Sequence, residues 1–319
     1  MAYPKREIVD PYIVIFGLAV GVLVGLTGIG GGSLMTPLLI LVLGVKPVTA
    51  IGTDLAYAAV TKTVGGFKHL RQGTVDVSLS TWMSFGSVPA AVGGVYVLAA
   101  LERAAGASFD ATLLAVLAGA ILFTGVVTLA RALFFKGLAE SERDELALEL
   151  RHKAAAVAIG VFVGFMLGVT SAGSGALIAL ALILAFRLVP RRVVGTDVFH
   201  AAILLWAAGL AHLVAGNVDF ALAGTLLIGS VPGVWLGSHW SVRIPAATLR
   251  TVLGVVLVGA GLGLGAKAGF DVPTPVLAAV PVLIGLLVVG PRLLGRRPPD
   301  EPGIPNRSDD PLPPVARAE

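Results

Sequence analysis

GTDLAYAAVTKTVGGFKHLRQGTVD, residues 52–76, returns as GTDVFHAAILLWAAGLAHLVAGNVD, residues 195–219. The offset is 143 positions, and it holds without a gap when Gly25 to Gly94 is laid over Gly168 to Gly237, where 26 of 70 positions are identical. The matches are not those that a shared apolar bias produces. Gly52-Thr53-Asp54 falls on Gly195-Thr196-Asp197, His69-Leu70 on His212-Leu213, and Val75-Asp76 on Val218-Asp219. Beyond the quoted stretch, Gly86-Ser87-Val88-Pro89 falls on Gly229-Ser230-Val231-Pro232. The duplicated block is almost wholly apolar, and two-fold internal repeats in such a chain are the usual mark of a transporter.

Composition points the same way. The apolar fraction is 56%, charged residues make up only 13%, and the mean hydropathy is +0.92. A soluble globular chain carries about 25% charged residues, so this chain lacks the polar surface that water would require. Several stretches are long enough to cross a bilayer, and the 41 glycines suit helices packed closely in lipid. The reading is therefore an all-α, polytopic protein of the cell membrane. The net charge of +4 calls for no nucleic-acid partner, because the basic residues sit at the ends of apolar segments, where topology selection puts them. With no cysteine, disulfides, thiolate metal sites and thiol catalysis are excluded. Met1 to Asp10 reads as an N-terminal flank without a cleavable signal.

The apolar segments run over 11–43, 48–67, 77–101, 111–135, 154–186, 193–215, 220–242, 247–266 and 274–294. They group into a first repeat (11–135), a polar connection (136–153), a second repeat (154–266) and an extra C-terminal span within 267–294. A Pro-rich charged tail (295–319) reads as disordered. The first and fifth segments are too long for one span. Each is broken by glycine, at Gly28-Ile29-Gly30-Gly31-Gly32-Ser33 and at Ser171-Ala172-Gly173-Ser174-Gly175, so each should hold a helix, an unwound turn and a shorter helix. Loop charge adds orientation. Lys68 and Arg71 follow the second segment, whereas Arg187, Arg191 and Arg192 precede its counterpart. Equivalent loops then face opposite sides, which is the signature of inverted repeats. Inversion requires the two glycine-broken segments to be re-entrant hairpins. The competing arrangement is nine plain spans with parallel repeats.

Four sets of residues could carry chemistry. Asp54 and Asp197 lie several residues inside apolar segments, where an ionisable group is a functional candidate; the competing reading is helix capping by the Gly-Thr-Asp triplets, Thr53 and Thr196 included. Lys62 lies eight residues after Asp54, between Thr61 and Thr63, and could hold an anion or pair with a carboxylate. Its counterpart is Leu205, so the lysine breaks the symmetry. His200, one helical turn after Asp197, could relay protons with it or be a packed histidine satisfied locally. The glycine breaks, with Thr27, Gly30, Ser33, Thr170, Ser171 and Ser174, would present backbone N–H groups and hydroxyls to an anion at mid-membrane. The pairs His69 with Asp76 and His212 with Asp219 are read as loop caps rather than metal ligands.

At these residues the chain resembles the TauE/SafE family of membrane proteins, described as sulfite exporters. The resemblance rests on the Gly-rich segment from Gly21 to Pro37, the Gly-Thr-Asp triplets, the His-Leu-x-x-Gly-x-Val-Asp segments and the Gly-Ser-Val-Pro elements, and spans residues 12 to 266. It implies transport of sulfite, organosulfonates or related small sulfur-containing anions. Many members carry Ser where Asp54 and Asp197 stand here, a departure that points either away from a sulfite-type specificity or to proton coupling. The expectation is a secondary transporter of a small anion, not an enzyme and without a cofactor or metal. Substrate would be bound by Thr27, Gly30, Ser33, Thr53, Lys62, Thr170, Ser171, Ser174 and Thr196, and protons carried by Asp54, Asp197 or His200. The alternative is a cation transporter with Asp54 and Asp197 as direct ligands. Partners are the bilayer and the anion, and the glycine-lined faces suit either a monomer or a homodimer.

Overall fold

The computed structural model describes residues 10–27, 32–134, 148–173, 175–241, 246–277 and 279–283. Over these the chain is helical, in the order α1 (Pro11–Thr27), α2 (Gly32–Leu41), α3 (Pro47–Arg71), α4 (Val77–Ala105), α5 (Phe109–Phe134), α6 (Leu150–Thr170), α7 (Ala176–Leu184), α8 (Pro190–Val214), α9 (Phe220–Ser241) and α10 (Ala246–Lys267). Helical residues resume at Thr274. Among the described residues, five stretches are long and apolar enough to cross a bilayer. They are 77–132 (which holds both α4 and α5), α6, α8, 220–240 and 248–267. The chain is a multi-pass α-helical membrane protein.

The second long apolar segment divides where glycine interrupts it: α6 ends at Thr170 and α7 begins at Ala176. The glycine break of the first, residues 28–31, lies outside the described residues. At the second break Ser171 adopts the left-handed conformation with φ 59°, and Gly175 has φ 95°, a backbone state that glycine enters without steric cost. α3 and α8 both open with proline at the first turn, where its missing N–H costs nothing.

Packing repeats at the same offset as the sequence. α1 lies against α9, with Gly17, Gly21 and Gly25 against the backbone of Leu226, Ser230 and Val234. α6 lies against α4, with Gly160, Gly164 and Gly168 against Met83, Ser87 and Ala91. A Cβ at Gly17 would sit 2.7 Å from the Leu226 carbonyl oxygen, so these seams require glycine, as close helix contacts in lipid do. Rising numbers meet rising numbers in both seams, so each pair runs parallel. The central pair behaves differently. Gly65 of α3 faces Val198 of α8, and Gly209 of α8 faces Leu55 and Ala56 of α3. These two helices, which hold the same place in their repeats, therefore cross antiparallel. α5 and α10 do likewise, with Gly125 against Leu257 and Gly261 against Leu122.

Cross-repeat hydrogen bonds pin the short loops. The Asp76 N–H donates to Thr196 Oγ1 at 2.9 Å, and the Asp219 N–H donates to Thr53 Oγ1 at 3.0 Å. Each of these aspartates then caps the helix that follows, accepting from Leu79 N and Leu222 N, both at 2.9 Å. Such a cap stabilises a helix start by about 1 kcal/mol. Arg192 Nη1 donates to the Val75 carbonyl at 3.0 Å. That contact gathers Lys68 and Arg71 at the end of α3 and Arg187, Arg191 and Arg192 at the start of α8 onto one basic face.

Candidate functional site

Asp54 lies seven residues into α3, about 10 Å along the helix, and is wholly buried. Its Oδ2 accepts from Thr36 Oγ1 at 2.7 Å and from Ser171 Oγ at 2.5 Å, and those two hydroxyls are 3.2 Å apart. Thr36 comes from α2 and Ser171 from the turn after α6, so the cluster joins the two halves of the chain. Oδ1 has no hydrogen-bond partner among the described residues. A hydroxyl both donates and accepts, so this shell can hold the carboxyl in either protonation state.

Asp197 lies seven residues into α8, which runs the other way, so the two aspartates stand at different depths. It is 6% exposed. Its Oδ1 accepts from the Gly175 N–H at 3.2 Å, which places its charge at the positive N-terminal end of α7. Lys62 and Arg131 are close enough to act on it electrostatically. Thus the start of α7 directs an N–H to a carboxylate of the chain itself.

Lys62 stands about 22 Å along α3 and is 6% exposed. It borders a cavity of about 450 Å³ between α1, α3, α8 and α9, together with Tyr57, Thr61, His69, Val198 and Ser230. The cavity follows α3 from Tyr57 to His69, towards the basic face. The hydroxyls of Tyr57 and Ser230 are buried and make no hydrogen bond of good geometry among the described residues.

The remaining expected site residues divide. Thr53 and Thr196 hold the backbone of the opposite loops, as described above. His200 is fully buried with Nδ1 3.3 Å from Ser84 Oγ and Nε2 3.2 Å from Ser87 Oγ; its two ring nitrogens therefore meet α4, not Asp197. Thr170 donates to the Met166 carbonyl at 2.6 Å and accepts from Ala172 N at 3.2 Å, closing the end of α6. Ser33 is buried, with no partner for Oγ among the described residues. Gly30 and Ser174 lie outside the described residues, as does the side chain of Thr27. His69 and His212 meet Thr74 and Asn217 within their own loops, at 3.0 and 3.1 Å.

Thr36, Arg131, Tyr57 and Ser230 escaped the sequence reading as site residues. Arg131 looks like an ordinary span-end cation, and Thr36 a lone hydroxyl in an apolar run. One signal was present. Thr36 and Ser171, the two partners of Asp54, correspond to Ala179 and Gly28, so the hydroxyl shell has no counterpart in the residues equivalent to it around Asp197.

Comparison with known proteins agrees with this architecture. The profile of the sulfite exporter TauE/SafE family matches residues 13–264. A probable membrane transporter protein of Bacillus subtilis, YjnA, is 38% identical over 255 residues, covering 79% of this chain and 98% of its own. A second from the same organism, YdhB, is 28% identical over 252 residues, covering 78% and 98%. A probable membrane transporter protein of Xylella fastidiosa is 28% identical over 249 residues, covering 77% and 91%. No solved structure gives a significant match. A family match over most of the chain, on a multi-pass helical fold, makes this protein a membrane transporter of the TauE/SafE family in the cell membrane.

Proposed function

We propose that this transporter moves a small anion, sulfite or a sulfonate-type species, by alternating access between two inverted repeats. The observation that carries the reading is Lys62, an amine deep in α3 that borders a cavity of about 450 Å³. That volume falls within the range of small-molecule sites. The unengaged hydroxyls of Tyr57 and Ser230 supply donors beside the cation, the combination that recognises a compact oxyanion. The antiparallel crossings of α3 with α8 and of α5 with α10 support inversion. The basic face then lies on the cytoplasmic side, and the cavity leads towards it.

Asp54 is the proposed proton carrier. Its Oδ2 accepts from the hydroxyls of Thr36 and Ser171, and the seat bridges both halves, so gain or loss of a proton acts where the halves meet. Asp197 has another role in this reading: it balances Lys62 when no anion is bound. The same oxygen cluster at Asp54 also suits a hard cation such as Na⁺, and that observation keeps Na⁺ coupling as a second reading.

The test is uptake of labelled sulfite, sulfate, sulfoacetate and taurine into proteoliposomes, with an imposed pH gradient, with a Na⁺ gradient, and with neither. Saturable flux of one anion that a pH gradient drives and Lys62→Ala abolishes is the expected result. Flux driven by Na⁺ alone moves the coupling to the second reading. No anion flux from folded protein overturns the anion assignment.

A further inference from the structure

The cavity beside Lys62 has a counterpart that is shut. Moved by the repeat offset, the wall residues Gly25, Thr61, Lys62 and His69 become Gly168, Leu204, Leu205 and His212. Leu204, Leu205 and His212 are wholly buried. Helix packing tells the same story: α4 runs closely along α8, whereas α9 meets α3 over a much shorter stretch.

A hydrogen bond marks the closed side. His212 Nε2 lies 2.9 Å from the Gly168 carbonyl, which can only accept, so Nε2 carries the proton; Nδ1 then accepts from Asn217 Nδ2 at 3.1 Å. Gly168 O is available because Ala172 N, its partner in a continuing helix, donates to Thr170 Oγ1 instead. On the open side the residues of this device have equivalents. Thr74 takes the place of Asn217, with its Oγ1 3.0 Å from His69 Nδ1 and its hydroxyl donating to the His69 carbonyl at 3.1 Å. Gly25, the counterpart of Gly168, lies in α1 two residues before its last described residue. His69 and Gly25 both border the cavity.

We propose that His69 and His212 are alternate latches of the transport gate. His212 on Gly168 holds α6 against α8 while the cavity is open towards the basic face. In the opposite state α1 closes on α3, the Thr74 hydroxyl turns from the His69 carbonyl to donate to Nδ1, and His69 donates from Nε2 to the Gly25 carbonyl. The His212 bond then opens, and the counterpart cavity appears between α6 and α8. This rests on the alternating-access reading of the inverted repeats and adds to it the two residues that close each side.

The chain has no native cysteine, so single reporters are clean. Thr61→Cys reports the open cavity and Leu204→Cys its closed counterpart, each labelled by a membrane-impermeant maleimide in proteoliposomes. In the unaltered background residue 61 should label readily and residue 204 slowly, with added sulfite tested as a perturbant. His212→Ala should raise labelling at 204 about fivefold and lower it at 61, the population shift expected from one lost hydrogen bond. His69→Ala should shift both rates the opposite way, and His69→Gln, which keeps an N–H donor, should stay near the unaltered rates. If His69→Ala elutes aggregated, His69→Phe keeps the ring volume without the donor and replaces it. Unchanged rates with His69→Ala or His69→Phe, while His212→Ala still exchanges the two reporters, overturn the His69 latch and leave alternation standing. If residue 204 labels under no condition, His212→Ala and sulfite included, alternation fails and the latches with it.

Discussion

Asp54 and Asp197 occupy the same place in two copies of one motif, yet their surroundings are of opposite chemical kinds. Asp54 receives hydroxyl hydrogens from Thr36 and Ser171. Asp197 receives a backbone N–H at the start of α7 and the fields of Lys62 and Arg131. The residues that correspond to Thr36 and Ser171 are Ala179 and Gly28, and the residue that corresponds to Lys62 is Leu205. A buried carboxylate among cations is charge-balanced, and removing one partner leaves an uncompensated charge. A carboxyl among hydroxyls has no cation to balance it, and those hydroxyls can donate to it or accept from it. The two acids at equivalent positions of the sequence repeat thus sit in different surroundings. The neighbouring pair follows suit. Tyr57 and Ser230 border an open cavity, while their equivalents His200 and Ser87 are in hydrogen-bond contact in a packed core.

The sharpest way to break this contrast is at Lys62. Replacing it by the residue of the other repeat, Lys62→Leu, should reduce anion flux by at least about 100-fold and destabilise the fold by about 3–5 kcal/mol, the cost of stranding a buried charge. Adding Asp197→Asn should recover most of the stability but none of the flux, read as thermal unfolding in detergent beside uptake. If Asp197→Asn does not rescue stability, Asp197 is not the charge partner of Lys62.

A second contrast is the response to Asn at each acid. Asp54→Asn keeps its hydroxyl neighbours and should fold, but should lose the dependence of flux on an imposed pH gradient, with gradient-driven uptake falling about tenfold, equivalent to about 1.4 kcal/mol in the barrier. Asp197→Asn alone should retain gradient dependence with altered apparent affinity. Equal behaviour of the two variants in the proteoliposome assay would erase the distinction drawn here.

Smaller effects should sharpen it. Thr36→Val removes one of the two hydroxyls on Asp54 and should cost about 1–3 kcal/mol through a buried acceptor left short of a partner. Its mirror, Ala179→Thr, should cost stability through overpacking by about 1–3 kcal/mol without creating a second proton seat. Thr196→Val removes the acceptor for the Asp76 N–H and should lower stability by about 1 kcal/mol, leaving specific transport per folded molecule unchanged. A large transport defect with intact folding would return Thr196 to the substrate site.

The sequence by itself determined the membrane, the helices and the positions of the acids. Apolar runs of bilayer length admit only helices, because lipid satisfies no backbone hydrogen bond, and glycine clusters interrupt helices locally. Both properties are read along the chain, which is why the division of 154–186 into α6 and α7 was legible before any coordinates. Asp54, Asp197 and Lys62 stood out for the same reason, as ionisable groups in apolar segments. The partners of those groups were not legible. Thr36 lies 18 residues from Asp54 and Ser171 lies 117, and no periodicity links them, since contact across a helix crossing depends on the register of packed surfaces. His200 looked like a relay partner for Asp197 at one-turn spacing, but a side chain three residues on can turn to a neighbouring helix, and α4 offered it Ser84 and Ser87. Only the tertiary structure decided that one crossing between the two halves borders a cavity and its counterpart is packed. That difference resides in how closely α9 meets α3 and α4 meets α8, a property of four helices together and of no single segment.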